Sequence, residues 1–303
     1  MFVRYARPLV IALALFVAVP TSAQKHYAVT LLPNNFRPTG INNRGQVSGF
    51  NVFSGRALLW ERGATTDLGT LGGPSSVATA INDRGQVVGF SFTADGLARS
   101  FLWEKGTMRQ LGTDFFDAFS INNRGQVVVI GPGGMYLLTG SSATFIALTF
   151  VQAAVNQVGE VAGTDSTQHA FLWRHGVLTL LPTPGDFSVG LGINNSGDVV
   201  GYVVKEEIGG HVHATLWTGG AAVDISGGNL TIAIDISDSG VIVGAVGSHP
   251  ALWTHGQLFD LNDLVSPQGT PLVGNAVAIN ERGQIVITPG EIGQAFLLTP
   301  MSQ

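Results

Sequence analysis

The chain has 303 residues, no cysteine, and 20 acidic against 15 basic residues, for a formal net charge of −5. The lack of cysteine excludes disulfides and thiolate metal sites, and the negative charge argues against nucleic acid and anionic membranes as partners. Only 12% of the residues are charged and 41 are glycine, a composition that is typical of many short strands joined by tight turns.

The first predicted element is a secretory signal peptide over residues 1–23. MFVRYARP carries two arginines, the apolar run LVIALALFVAV follows, and Pro20 precedes the small residues Thr21-Ser22-Ala23. An apolar run this short does not span a bilayer, which needs about 20 residues. We therefore expect cleavage after Ala23. The mature domain, residues 24–303, should have no membrane span and should be located in the periplasm or outside the cell.

A repeated hairpin is the next feature. The frame I-N-x-x-G recurs seven times, with its glycines spaced 34 to 43 residues apart, at Gly45, Gly85, Gly125, Gly159, Gly197, Gly240 and Gly283. Asparagine at the first turn position can bond to the backbone two residues on, and glycine at the last position adopts a positive φ without strain. The flanking residues are rich in β-branched side chains, so each copy predicts a β-hairpin.

A third and a fourth strand are predicted after each hairpin. Their clearest marker is a segment such as RSFLW (99–103) or HAFLW (169–173), and all five tryptophans of the chain occupy its last position. A short turn and another apolar run follow. One such four-stranded sheet is marginal alone, but copies arranged around an axis bury both faces. The prediction is an all-β, seven-bladed β-propeller of four-stranded antiparallel blades; an open β-solenoid is the rival.

The two ends of the chain favour the propeller. The last copy reaches only its third strand, over 294–298, while residues 26–32 (HYAVTLL) resemble an unpaired fourth strand. We therefore expect the N-terminal strand to complete the last blade and to close the ring.

The HAFLW segment, the I-N-x-x-G-x-V-V-G hairpins and the run DLGTLGG (67–73) together resemble the HAF-repeat family of predicted extracellular proteins. The resemblance covers about residues 24–300, although only the fourth copy keeps His169, Ala170 and Phe171 intact. It implies a secreted, bacterial repeat protein, and it implies no catalytic residue.

The histidines do not indicate catalysis or a metal. His169, His213 and His249 share one repeat position at which other copies carry Arg, Gly or Gln, so that position is interpreted as structural. His211 and His213 supply two ligands, which is half of a zinc site at best. We predict no catalytic residue, no metal and no cofactor.

The irregular loops are the predicted binding surface. In a propeller, the loops between second and third strands and the connections between blades share one face, and the hairpin turns share the other. Binding residues are usually found on irregular loops of a rigid scaffold. The charged candidates on this face are Asp114, Asp117, Asp165, Asp186, Lys205, Glu206 and Glu207.

Three functions are compatible with these features. The leading one is a secreted binding or scaffold module for an extracellular protein or a carbohydrate. The alternative is a propeller enzyme, a hydrolase or lyase acting on extracellular glycan or lactone-type substrates. Such an enzyme needs acids that converge on the channel, and only Asp117 and Asp235 put carboxylates in the predicted innermost strands, which favours binding. A structural surface or matrix protein is the third.

Overall fold

The protein is a seven-bladed β-propeller in which every blade is a four-stranded antiparallel sheet. The structure, a computed structural model, describes residues 26–149, 151–205, 211–228, 231–265, 271–290 and 293–301. The predicted signal peptide lies outside these residues. The described part of the chain contains no helix that is long and apolar enough to cross a membrane.

Blades 1 to 3 take their strands in chain order, from the axis outward. Blade 1 consists of β2 (Phe36–Ile41), β3 (Val47–Asn51), β4 (Arg56–Glu61) and β5 (Ala64–Asp67). Blade 2 consists of β6 (Gly72–Ile81), β7 (Val87–Thr93), β8 (Ala98–Glu104) and β9 (Thr107–Gln110). Blade 3 consists of β10 (Asp117–Ile121), β11 (Val127–Gly131), β12 (Gly134–Thr139) and β13 (Ser142–Ala147).

Blades 4 to 6 follow the same order. Blade 4 consists of β14 (Ala154–Val155), β15 (Val161–Thr164), β16 (Ala170–Arg174) and β17 (Val177–Leu180). Blade 5 consists of β18 (Phe187–Ile193), β19 (Val199–Lys205), β20 (His211–Thr218) and β21 (Ala221–Asp224). Blade 6 consists of β22 (Thr231–Ile236), β23 (Ile242–Val246), β24 (His249–Thr254) and β25 (Gln257–Asp260). A short 3-10 helix, Leu261–Leu264, leads to blade 7.

Blade 7 is completed by the N-terminal strand, as predicted. Its order is β26 (Asn275–Ile279), β27 (Ile285–Thr288), β28 (Phe296–Pro300) and then β1 (Tyr27–Leu31). Strand β1 pairs antiparallel with β28, from Tyr27 opposite Pro300 to Leu31 opposite Phe296. The ring is therefore closed by main-chain pairing, which leaves no incomplete blade.

The hydrophobic core consists of seven clusters, and each cluster fills the interface between two adjacent blades. The repeat position that carries tryptophan packs against the preceding blade. Trp60, Trp173, Trp217 and Trp253 are buried there, and Trp103 is half-buried. The shared position of the tryptophans thus reflects the packing of one blade on the next.

The I-N-x-x-G turns form as predicted. In blade 2, the Gly85 N–H donates to the Asn82 carbonyl at 3.0 Å, and the Asn82 N–H donates to the Gln86 carbonyl at 3.0 Å. Gly85 has a φ of 79°, in the left-handed region that glycine adopts without strain. We call the end of the propeller that carries these turns the turn face, and the opposite end, which carries the longer loops, the loop face.

Candidate functional site at the axis of the propeller

The asparagine that opens each turn bonds both within its own turn and to the next blade. The Asn82 Oδ1 accepts hydrogen bonds from the backbone N–H groups of Arg84 and Gln86, each at 3.0 Å. Its Nδ2 donates to the Asn122 carbonyl in blade 3 at 3.0 Å. Equivalent hydrogen bonds to a backbone carbonyl of the next blade, 2.8–3.0 Å long, are donated by the side-chain amides of Asn42, Asn122, Asn156 and Asn280. The series is interrupted at blades 5 and 6 within the described residues. The Asn194 amide donates to the Asp198 carboxylate of its own turn at 3.1 Å, and Ser237 has no amide to donate.

The next residue of each turn forms a second ring, and this one is complete. Its side-chain oxygen accepts a hydrogen bond from the backbone N–H of its counterpart in the preceding blade, at 2.7–3.2 Å. In order around the axis the residues are Asn43, Asp83, Asn123, Gln157, Asn195, Asp238 and Glu281. Asn43 accepts from the Glu281 N–H at 2.8 Å, so blade 7 is joined to blade 1. We call this set the turn ring.

A polar pocket of about 130 Å³ lies at the turn-face end of the axis, lined by the turn ring of blades 1 to 4 and 7 and by isoleucines beneath it. Its acidic groups are already bonded: the Asp83 Oδ2 accepts from the Asn43 and Asn123 amides at 3.0 and 2.7 Å. Burial and the charges of Asp238 and Asp83 raise the pKa of Glu281, although a backbone N–H opposes the shift. The turn ring is therefore interpreted as a structural feature that joins the turns of adjacent blades.

We expect Asn82→Ala to lower the free energy of unfolding by about 2–3 kcal/mol. The substitution leaves two N–H groups of the turn and one carbonyl of blade 3 without their partner, and unpaired buried groups are costly. Urea unfolding measures the loss.

The matched control is Arg84→Ser in the same turn. Arg84 is exposed, and serine occupies the equivalent position at Ser196 and Ser239, so this change should stay within about 0.5 kcal/mol. Equal losses for the two variants would contradict the role given to Asn82.

Two of the three repeated histidines pair with aspartates at the outer part of their blades, which agrees with their structural interpretation. The Nδ1 of His249 lies 2.7 Å from an Asp260 carboxylate oxygen, and the Nδ1 of His213 lies 3.1 Å from Asp224. The same His213 nitrogen lies 3.1 Å from the Ser226 hydroxyl. A catalytic triad needs the serine and the aspartate on different ring nitrogens. The arrangement is therefore unlike a nucleophilic site.

Several of the predicted loop-face residues are used locally or are exposed. Partial burial alone would raise the pKa of Asp165, but hydrogen bonds from His169 and Thr167 lower it on balance. Asp114 is exposed in the connection before β10. These two make no contact with one another that would define a site.

Two other candidates are close together. The backbone N–H of Asp186 donates to the Val204 carbonyl at 2.9 Å. A Cβ added to the neighbouring Gly185 would lie 3.1 Å from the Lys205 side chain. Glu206 and Glu207, which complete this candidate group, lie outside the described residues. The group as a ligand site stays a prediction.

Asp117 differs from the other carboxylate of the innermost strands, Asp235. Asp235 accepts bonds from its neighbour Ile236 and, across to blade 7, from the Ile279 N–H, both at 2.9 Å. Asp117 accepts only from the Ala118 N–H, at 2.8 Å, through Oδ1. Burial raises the pKa of each to about 6. Asp235 thus joins two blades, whereas the second oxygen of Asp117 has no partner among the described residues.

A group of three or more metal-ligating side chains does not occur within the described ranges. The turn ring was missed by sequence reasoning, which considered only the bonds that the first asparagine makes within its own turn. A signal was present, because all seven copies carry an acceptor side chain directly after the first turn residue.

Comparison with solved structures identifies the fold. YCF48 bound to a D1 peptide aligns with a TM-score of 0.59 at 12% identity, over 91% of this chain and 97% of that chain. Streptogramin B lyase aligns at 0.58 and 12% identity, over 91% and 98%. Acylaminoacyl peptidase from Pyrococcus horikoshii aligns at 0.54 and 9% identity, over 92% of this chain and 52% of that chain. At such identities the similarity shows the propeller fold alone. No protein-family model and no curated protein matches the chain.

Proposed function

We propose that this protein is an exported member of the HAF-repeat family that acts as a binding or scaffold module in the periplasm or outside the cell. Its ligand, an extracellular protein or a carbohydrate, is held on the loop face close to the axis. Export rests on the leader pattern of residues 1–23, and the family rests on the repeat motifs.

Asp117 is the observation that carries the location of the site. Two other blades place Val77 and Val189 at its position, as the strand registers show. The fold therefore does not need a carboxyl group there, and burial makes its charge unfavourable. Carboxyl groups of this kind, half-buried and with a perturbed pKa, are more common at functional sites than elsewhere.

The turn face offers less to a ligand. The polar groups that surround its pocket already bond to one another around the turn ring, so a ligand would have to replace those bonds. Loops of irregular length on a rigid scaffold are the common place for binding residues. The loop face is therefore favoured.

We expect Asp117→Asn to be more stable than the natural protein, by a difference in unfolding free energy that grows as the pH rises. The pKa of Asp117 is about 6 in the folded state and 3.8 ordinarily, so the folded protein keeps a proton that the unfolded chain releases. Stability is then lost as the pH rises from about 4 to about 6. Asparagine keeps the Ala118 bond and has no charge, so the variant should gain about 1–2 kcal/mol on the natural protein across this window.

Urea unfolding at pH 4 and pH 7 measures this gain, and Asp114→Asn removes an exposed carboxylate of the same face as a control. A difference between Asp117→Asn and the natural protein that does not change with pH would show that the Asp117 charge is not penalised by burial.

The binding role is tested by thermal shifts of the natural protein, Asp117→Val and Arg84→Ser against a panel of saccharides and short peptides. We expect ligands that raise the melting temperature of the natural protein and of Arg84→Ser, but not of Asp117→Val. A ligand lost only in Arg84→Ser would put the site on the turn face and overturn the proposal. Release of a product from any panel member would favour the enzyme alternative.

A further inference from the structure

The blades differ in the side chain that they carry at one ladder position of the innermost strand. This position lies near the start of each strand, and register pairs define it in six blades. In blades 2, 5 and 6 it holds Val77, Val189 and Ile232. In blades 1, 3 and 7 it holds Arg37, Asp117 and Asn275. Three polar residues therefore occur at a position that holds apolar side chains in the other three of these six blades.

Burial shows where these side chains point. On β2, Phe36 and Pro38 are buried while Arg37 between them is half-buried. Asp117 and Asn275 are also half-buried, and each precedes an alanine that is fully buried. Successive side chains of a strand point to opposite sides. The innermost strands border the axis and begin at the loop face, so these three partly exposed side chains lie around the loop-face end of the axis, each on the side of its strand opposite a buried neighbour.

Most of the hydrogen-bonding capacity of this group is unused. Within the described residues, the Arg37 guanidinium and the Asn275 amide have no side-chain partner, and Asp117 uses one oxygen. Thr288 adds an independent sign: its hydroxyl is the buried side-chain polar atom without a partner in the described part of the chain. Thr288 is opposite Asn275 in the β26–β27 ladder, so both side chains are on the same face of blade 7. An unpaired buried hydroxyl costs roughly 1–3 kcal/mol.

We infer that Arg37, Asp117 and Asn275 form the binding site for a neutral, polyhydroxylated ring, the chemistry of an uncharged saccharide. This inference rests on the proposed function and names the ligand class of that site. We call the three residues the axial polar group.

Charge and hydrogen-bonding type select this class. Arg37 only donates and ionised Asp117 only accepts, whereas the amide of Asn275 does both. The two charges cancel, so a ligand of zero net charge fits best. Sugar hydroxyls accept from Arg37 and donate to Asp117 at once. A zwitterionic amino acid would pair with the charged residues and leave Asn275 unpaired.

The test is a calorimetric titration of the natural protein with monosaccharides in the gluco, galacto and manno series. Each series is offered as the neutral sugar, the amino sugar and the uronic acid, and glycine supplies the zwitterion. We expect the neutral sugar of at least one series to bind most tightly. Arg37→Val and Asp117→Val, which introduce the residue found at this position in blades 2 and 5, should each raise its Kd at least tenfold.

Charge preference is the readout that a purely structural role would not move. Arg37→Val leaves a net negative group, so the amino sugar should gain on the neutral one. Asp117→Val leaves a net positive group, so the uronic acid should gain. Arg44→Ser removes an exposed arginine on the turn face of blade 1, the blade that also carries Arg37. This variant should change neither affinity nor preference.

The inference is overturned if no neutral sugar binds in any series, if sugars bind with unchanged preference in both valine variants, or if glycine binds more tightly than the sugars. A peptide that binds the natural protein and not Asp117→Val, while no sugar binds, overturns the saccharide inference and leaves the loop-face proposal standing. A sugar whose binding is lost in Arg44→Ser alone overturns both.

Discussion

Replacement of Trp253 by alanine should lower the free energy of unfolding by about 3–5 kcal/mol, as expected for the loss of a buried indole. Trp253 is 4% exposed and packs between blades 5 and 6. Its indole N–H donates to the Ile225 carbonyl at 2.7 Å, and the substitution leaves that carbonyl without its donor. Urea unfolding at neutral pH measures the loss.

Two further variants separate volume from hydrogen bonding. Trp253→Phe keeps most of the packing and removes the indole N–H, so it should lose less than the alanine variant. Trp103 is half-buried and has no indole hydrogen bond among the described residues, so Trp103→Ala should also lose less than Trp253→Ala. Equal, small losses for both alanine variants would mean that the shared tryptophan position does not hold adjacent blades together.

The sequence was sufficient to predict the architecture because the repeat is both regular and complete. A unit of four short strands cannot bury both of its faces alone, and the tryptophans mark one packing position in five units. Even the third copy, which lacks the histidine and the tryptophan, forms a full blade, since Leu138 is buried against blade 2 at that position. Closure by β1 followed from the same repeat, because a strand was missing at one end and unpaired at the other.

The turn ring could not be derived in the same way. Each of its bonds joins residues that are 34 to 43 positions apart, or 238 apart between Asn43 and Glu281. Which side chain meets which N–H depends on how closely the seven turns approach the axis, and the repeat period does not set that distance. A local account of each turn, with asparagine bonding to its own backbone, already satisfied the sequence pattern.

The axial polar group was found only in part for a related reason. Asp117 stood out as a carboxylate in an innermost strand. Arg37 and Asn275 belong to it because strand registers in blades 1 and 7 place them at the same ladder position. Those registers shift at a bulge in six of the innermost strands, so counting back from the turns does not give the pairing.

Removal of residues 26–32 should destabilise the whole ring. Strand β1 buries Tyr27 between blades 6 and 7 and brings Leu32 to the interface of blades 7 and 1, each 2% exposed. Burial also raises the pKa of Tyr27 to about 12, as expected for a phenol held in the core. Loss of the two side chains removes roughly 3–6 kcal/mol, a large part of a typical stability of 5–15 kcal/mol. The pairing with β28 is lost as well.

Rescue in trans distinguishes strand pairing from a general effect of truncation. A synthetic peptide of residues 26–34 offers the missing strand to the exposed edge of β28, with Leu32 able to donate again to the Ala295 carbonyl, a bond of 3.0 Å in the intact protein. The melting temperature of the truncated protein should rise with the concentration of this peptide and should not respond to a scrambled peptide of the same composition. An unchanged melting temperature on truncation, or equal rescue by the scrambled peptide, would show that the ring does not depend on β1.

Because an unpaired strand edge invites pairing with other chains, the truncated protein should also self-associate, and the native peptide should suppress that association in sedimentation experiments.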